Sequence, residues 1–293
     1  MIIRQDDGTF AAVWGPYTLR SAFQPIFAFC NGRATVAAFE GLIRPSRDGE
    51  PAPPAAFFAS VPFAERLHVE TLTRTLHLHN AGACLDPDAW IFVNFDPSVF
   101  GEKSVADAAL RDMRHLLREA AINPRRVVCE VTEQKSASEA ALHRFVQALK
   151  LHGFRIAVDD YGSADSDIDR IRRLQPDIVK FDAQWIRRLM ETGPGFALLS
   201  TMVLAFAEQG IKTVFEGIEE TWQLELAEKS GASMVQGYVL ARPQIASTGQ
   251  APSRHSSGKP PTLAEQPGDE PKEGRRRRAD HINGVFGRRT KSP

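Results

Sequence analysis

The chain has 293 residues, 43% of them hydrophobic and 25% charged, a globular composition that excludes a wholly disordered or collagen-like protein. Thirty-six Lys and Arg balance thirty-six Asp and Glu, but from Ala246 onward ten basic residues face five acidic ones, leaving the first 245 residues at −5. An acidic body argues against an extended nucleic-acid surface.

In chain order, β-branched and aromatic runs at residues 23–29, 36–43, 91–95, 127–131, 156–159, 178–181, 213–215 and 234–238 read as strands buried on both faces. Between them, apolar residues at helical spacing predict amphipathic helices over 63–79, 105–121, 137–150, 164–174, 196–209 and 221–230. Alternating strands and helices imply a parallel sheet with right-handed crossovers. Eight strands suit a closed barrel. No Gly-x-Gly-x-x-Gly follows the first strand and no Walker-type Gly-Lys-Ser/Thr occurs, which favours closure over an open dinucleotide-binding sheet. The first two strands are joined only by Cys30-Asn31-Gly32-Arg33, too short for a helical crossover, so they should form an antiparallel hairpin. The expected fold class is therefore α/β, a (β/α)8 TIM-like barrel with one antiparallel strand at the start. Its expected limits are residues 17–245, after an extension at 1–16 and before a disordered basic tail at 246–293, rich in Pro, Ser, Gly, Lys and Arg.

Cys30, Cys84 and Cys129 are widely spaced, which supports neither a disulfide framework nor a thiolate zinc site. No run reaches the ~20 apolar residues of a membrane span, and the first ten residues lack a signal-peptide core. A soluble, cytoplasmic protein is expected.

Six of the strand-like runs end on Glu40, Asn94, Glu130, the pair Asp159-Asp160, Lys180 and Glu216. In a (β/α)8 barrel, chemistry collects at the C-terminal ends of the strands. Clustered carboxylates repel one another unless cations are present, and hard oxygen donors without clustered His or Cys suit Mg²⁺ or Mn²⁺ better than zinc. Taken singly, each residue reads as a solvated acid, a turn or a surface salt bridge; repeated on successive strand ends they point to metal, and together they could supply every ligand of a two-metal phosphoester site. His77-Leu78-His79 does not share a helix face and reads as surface histidines. The arginine run at residues 275–278 reads as a solvated stretch, with RNA, DNA or anionic lipid as weaker alternatives.

The same residues carry a resemblance. Phe23-Gln24-Pro25-Ile26, Glu40-Gly41-Leu42-Ile43-Arg44, Val93-Asn94, Glu130-Val131-Thr132-Glu133, Asp159-Asp160-Tyr161-Gly162, Lys180-Phe181-Asp182, Glu216-Gly217-Ile218-Glu219 and Gln236-Gly237-Tyr238 stand in the order of the EAL-domain cyclic-di-GMP phosphodiesterases, which the chain resembles over about residues 17–243. The resemblance implies hydrolysis of cyclic di-GMP to linear pGpG with two Mg²⁺ or Mn²⁺ ions. It implies that Glu40, Asn94, Glu130 and Asp159 hold one ion, and that Asp159, Asp160 and Glu216 hold the other. Lys180 would hydrogen-bond the attacking water and Gln236 would support the water shell of the ions. Glu133 would pin the loop after Asp159, Glu219 would brace the site, and Gln24, Leu42, Arg44 and Asp182 would meet the substrate.

The chain departs from the family pattern at four places. Gly41 replaces the usual Ala, Pro45 follows Arg44 where an aromatic is common, and Ala164 and Asp165 replace a Gly and a Tyr. The family uses the last segment for dimer contact, so a homodimer and its regulation are the expectations that these changes bear on. No cyclase motif occurs and the residues before Tyr17 are few, so neither nucleotide synthesis nor a sensor domain is expected. The competing readings are a receptor on the same barrel that binds the nucleotide without turnover, and a nucleic-acid binder acting through its basic tail.

Overall fold

The computed structural model describes residues 1–30, 32–96, 103–131, 139–163 and 168–248; the expected tail, apart from 246–248, lies outside them, as do Glu133, Ala164, Asp165 and the arginine run. The strands are β1 (Ile2–Arg4), β2 (Phe10–Trp14), β3 (Tyr17–Cys30), β4 (Arg33–Arg47), β5 (Glu50–Pro51), β6 (Trp90–Phe95), β7 (Val127–Val131), β8 (Arg155–Tyr161), β9 (Ile178–Phe181), β10 (Lys212–Phe215), β11 (Met234–Val235) and β12 (Gln244–Ile245). The helices are α1 (Pro54–Ser60), α2 (Arg66–Cys84), α3 (Lys103–Glu119), α4 (Glu139–Leu151), α5 (Ile168–Leu174), α6 (Ala183–Met190), α7 (Gly193–Glu208) and α8 (Thr221–Ser230).

Eight of these strands close a barrel. β4, β6, β7, β8, β9, β10 and β11 pair in parallel in that order. β3 then pairs antiparallel with both β11 and β4, completing the ring as its one reversed strand. Side chains alternate between the two faces of each strand. Ile26, Ala38, Phe92, Val128, Ala157, Ile178, Val214 and Met234, one from each barrel strand, fill the interior in a buried layer. Their sequence neighbours, such as Val93, Cys129, Ile156, Val179, Phe215 and Val235, face outward into the larger core beneath the helices.

All eight expected strands are present. Residues 1–16, expected as an extension, supply β1 and β2, which continue the same sheet beyond the barrel through β3. Helices α1 and α6 were not expected. The α6 segment is eight residues long and follows β9 at once; its start is marked by Asp182, whose Oδ1 accepts from Trp185 N at 2.8 Å.

The surface reading of His77 is corrected. His77 is 5% exposed and packs on the EAL-like segment of β4, because α2 is laid against the hairpin of β3 and β4 by a second apolar cluster containing Leu19, Ile43, Leu72 and Leu76. Ser21 Oγ lies 2.8 Å from His77 Nδ1 and accepts from Asn80 Nδ2 at 3.1 Å. The Ser21 hydroxyl can donate to Nδ1 of a neutral ring or accept from it, according to the tautomer. His79 is half-buried and stacks on Phe10, with ring centroids 4.8 Å apart. Gly41 now has a physical reason: a Cβ there would stand 3.0–3.2 Å from the His77 side chain, tighter than ordinary van der Waals contact.

Two outcomes follow from this packing. Gly41→Ala should lower unfolding stability by about 1–3 kcal/mol through overpacking, and by less in a His77→Ala background, as measured by urea denaturation of the four chains. Burial, aided by the Arg44 charge, pushes His77 down to about 3 from 6.5. The folded state therefore disfavours its protonation: stability is unaffected by this residue above pH 6.5 and falls as pH drops from 6.5 toward 3, by about 1.4 kcal/mol per pH unit. His77→Gln should flatten the wild-type acid limb over that window; parallel limbs would refute this account.

Candidate active site

Two residues above the apolar layer, the inward position on each barrel strand is polar. The eight residues are Gln24 on the reversed β3, Glu40, Asn94, Glu130, Asp159, Lys180 and, just past the last two strands, Glu216 and Gln236. The two-residue period accounts for this directly: a strand that turns one side chain inward turns the next but one inward as well.

Lys180 stands at the centre and is 1% exposed. Its Nζ lies 2.5 Å from Glu130 Oε1, 2.7 Å from Glu216 Oε1, 3.1 Å from Asp159 Oδ1 and 3.8 Å from Glu40 Oε1. Gln236 Nε2 donates to the other Glu40 oxygen at 2.8 Å. The Gln236 turn is zipped to the segment after β10, with Ile218 N donating to Gln236 O and Val239 N to Ile218 O, each at 3.1 Å. Gly237 is required at this crossing, since a Cβ would overlap the Ile218 backbone.

The paired aspartates sit on a distortion of β8. Neighbouring residues of a regular strand face opposite sides, yet oxygens of Asp159, Asp160 and Glu216 all lie within 4.8 Å of one another. The pairing with β9 shifts register between Val158 and Tyr161, and Asp160 adopts φ +57°. Such a bulge re-aims one side chain, and Asp tolerates the left-handed region better than most residues.

Charge in this ring is unbalanced. Burial works against the Lys180 ammonium, but Asp159, Glu130, Glu216 and Glu40 outweigh it and hold the group well above its ordinary value. Burial raises Glu130 far above the usual carboxylate range, with Lys180 opposing and Glu40 and Asp159 reinforcing. Glu216 is raised to about 8 by burial, again with Lys180 opposing. Asp160 is raised by burial and by its neighbour Asp159. One ammonium is too little positive charge for these acids. Glu130 Oε2 is also buried without a hydrogen-bond partner among the described residues. An orphaned anionic oxygen within a set of hard oxygen donors fits a divalent cation.

The remaining expected site residues lie around this ring or apart from it. Asn94 is directly opposite Glu130 in the pairing of β6 with β7, and its side chain is exposed at the mouth. Gln24 is paired with Glu40, is 9% exposed, and donates to Ala241 O at 3.4 Å. Leu42 and Arg44 continue the same face of β4 upward, and Arg44 Nη1 donates to Ile43 O at 2.8 Å. Asp182 caps α6, while its charge is felt by Asp160. Glu219 is outside the ring, exposed and paired with Arg187 Nη2 at 3.5 Å.

The EAL domain family model matches residues 17–243. The chain belongs to the EAL domain family. Among curated relatives, the probable cyclic di-GMP phosphodiesterase PdeA of Escherichia coli is 29% identical over 153 residues, covering 52% of this chain and 20% of that protein. The cyclic di-GMP phosphodiesterase RocR of Pseudomonas aeruginosa is 30% identical over 152 residues, covering 51% and 38%. The matches thus span well under half the length of these relatives. Among solved structures, Klebsiella pneumoniae BlrP1 in a complex with manganese and cyclic di-GMP at pH 6 superposes with a TM-score of 0.69 at 25% identity, over 84% of this chain and 61% of that one. Bacillus subtilis YkuI, complexed with cyclic di-GMP and calcium, gives 0.67 at 26% identity, over 77% and 56%. Among the described residues of this EAL domain, no helix is long and apolar enough to cross a membrane.

Lys180→Met should lower the stability of the cation-free EAL domain by about 3–5 kcal/mol, because buried carboxylates lose their internal counter-charge. Added Mn²⁺ should restore more stability to this variant than it adds to the wild type. Urea denaturation in chelator and in Mn²⁺ reads both effects, and equal Mn²⁺ increments would contradict the charge deficit.

Proposed function

We propose that this domain hydrolyses one phosphodiester bond of cyclic di-GMP to linear pGpG with two Mg²⁺ or Mn²⁺ ions. The observation that supports it most is the ring itself: every barrel strand contributes a polar residue to one inward layer, and the acids outnumber the single cation among them. Relatives named as cyclic di-GMP phosphodiesterases support the same substrate.

In this reading Glu40, Asn94, Glu130 and Asp159 would hold one ion, and Asp159, Asp160 and Glu216 the second. Asn94 adds an oxygen donor without adding charge. When bound, such a pair lowers the pKa of water and stabilises the attacking and leaving oxygens. Lys180, kept protonated by its acids, donates a hydrogen bond to the attacking water and orients it toward phosphorus; it does not act as the base. Gln236 fixes the Glu40 carboxylate through its 2.8 Å bond, so that one oxygen keeps a constant direction. The apolar layer beneath, with Phe92 and Ile178 fully buried, closes the barrel floor to water. Leu42 offers an apolar contact for a base, and Arg44 a planar donor fork for phosphate.

Incubating the protein with cyclic di-GMP and Mg²⁺ or Mn²⁺, then separating the nucleotides by chromatography, tests this. Linear pGpG should accumulate only with the cation present. Glu40→Ala and Asp159→Ala should each lower kcat by about 100-fold or more. Binding without product would replace the hydrolase by a receptor, and neither binding nor product would remove the nucleotide from the account.

A further inference from the structure

Arg20 belongs to none of the motifs that carry the resemblance, yet the reversed strand β3 brings it to the mouth of the barrel. In the antiparallel pairing of β3 with β4, Gln24 is opposite Glu40, Ala22 opposite Leu42 and Arg20 opposite Arg44. Directly opposed residues share a face, and every second residue along a strand returns to it. Arg20 and Arg44 are therefore two steps farther out on the face that carries Glu40, about 13 Å along the strand, with side chains long enough to lean back toward the ring.

Like charges directly opposed across a ladder destabilise it. Neither guanidinium makes an ion pair with a described residue; among those residues Arg44 bonds the Ile43 carbonyl. The acid that feels Arg20 is Asp7, fully exposed and already accepting from Thr9 N and Thr9 Oγ1. Below them the ring of Glu40, Glu130, Asp159 and Glu216 is negative and serves cations. An anionic ligand with two charged groups therefore has two distinct places: one phosphate against the cation-loaded ring and the other between the two forks, each able to grip phosphate oxygens in a bidentate manner.

We propose that Arg20 and Arg44 form a second phosphate subsite, which holds the phosphodiester of a cyclic dinucleotide that is not being cleaved. This rests on the hydrolase reading above and adds Arg20 to it as a binding residue. It predicts a preference for substrates bearing two phosphodiesters over those bearing one.

The test compares wild type, Arg20→Gln and Arg20→Lys on cyclic di-GMP and on bis(p-nitrophenyl) phosphate, which has a single phosphodiester. Arg20→Gln should raise KM for cyclic di-GMP by about tenfold or more, with most of the loss in KM, and its loss of kcat/KM should be at least several times smaller on the single phosphodiester. Arg20→Lys, which keeps the charge without the fork, should fall between. The melting temperature of Arg20→Gln should equal or exceed that of wild type, because opposed charges are relieved. Should that variant fail to fold, the intermediate KM of Arg20→Lys carries the comparison. Equal KM values, or equal losses on both substrates, would overturn the subsite while leaving the hydrolase intact. A wild type that neither binds nor cleaves cyclic di-GMP would remove both.

Discussion

A single ammonium enclosed by four carboxylates is the interaction on which the upper half of this barrel depends. Lys180 reaches all four from the centre of the ring, and in a place with little water both its attractions and the repulsions among the acids are stronger than at a surface. One positive charge cannot neutralise that set. The excess is met by protons, as the raised Glu130 and Glu216 carboxyls indicate, or by cations. A ring poised between those states is suited to bind divalent ions, and the buried Glu130 oxygen without a hydrogen-bond partner among the described residues is where the shortage is most visible.

Closure of the sheet is what makes such a ring affordable. Eight strands, each turning one apolar side chain inward, build a dry layer of Ile26, Ala38, Phe92, Val128, Ala157, Ile178, Val214 and Met234. The polar residues two positions higher share one level because the strands share one register. Burial of the apolar layer and of the outer core holds the acids together against their mutual repulsion. Reversal of β3 has a second consequence. Its N-terminal end, rather than its C-terminal end, lies at the functional mouth, and this carries Gln24, Arg20 and the ribbon of β1 and β2 to the side of the barrel where the other seven strands end.

Much of this was legible beforehand, for identifiable reasons. Buried strands declare themselves by short β-branched runs, and the residue at each exit is readable without coordinates, so Glu40, Asn94, Glu130, Asp159, Lys180 and Glu216 could be named in order. What was illegible depends on partners far away in sequence or on local geometry that no hydrophobic period announces. His77 reads as a surface histidine until α2 is laid on the Gly41 segment, where the ring fills the space an alanine methyl would occupy. That Asp182 caps α6 could not be seen before the helix was, because α6 is too short for its period to register. The common direction of Asp159 and Asp160 needs the bulge in β8, which a two-residue period forbids.

The sequence by itself determined the strand and helix alternation, the reversal of the first strand and the donor types at each strand exit, because these follow from local hydrophobic period, loop length and side-chain chemistry. Only the tertiary structure decided which of those donors meet, that Lys180 rather than solvent answers four acids, and that Arg20 faces Arg44. Closure and register are collective properties: they arise from pairing among strands that include Ala28 with Met234, far apart in the chain, and no segment carries them alone.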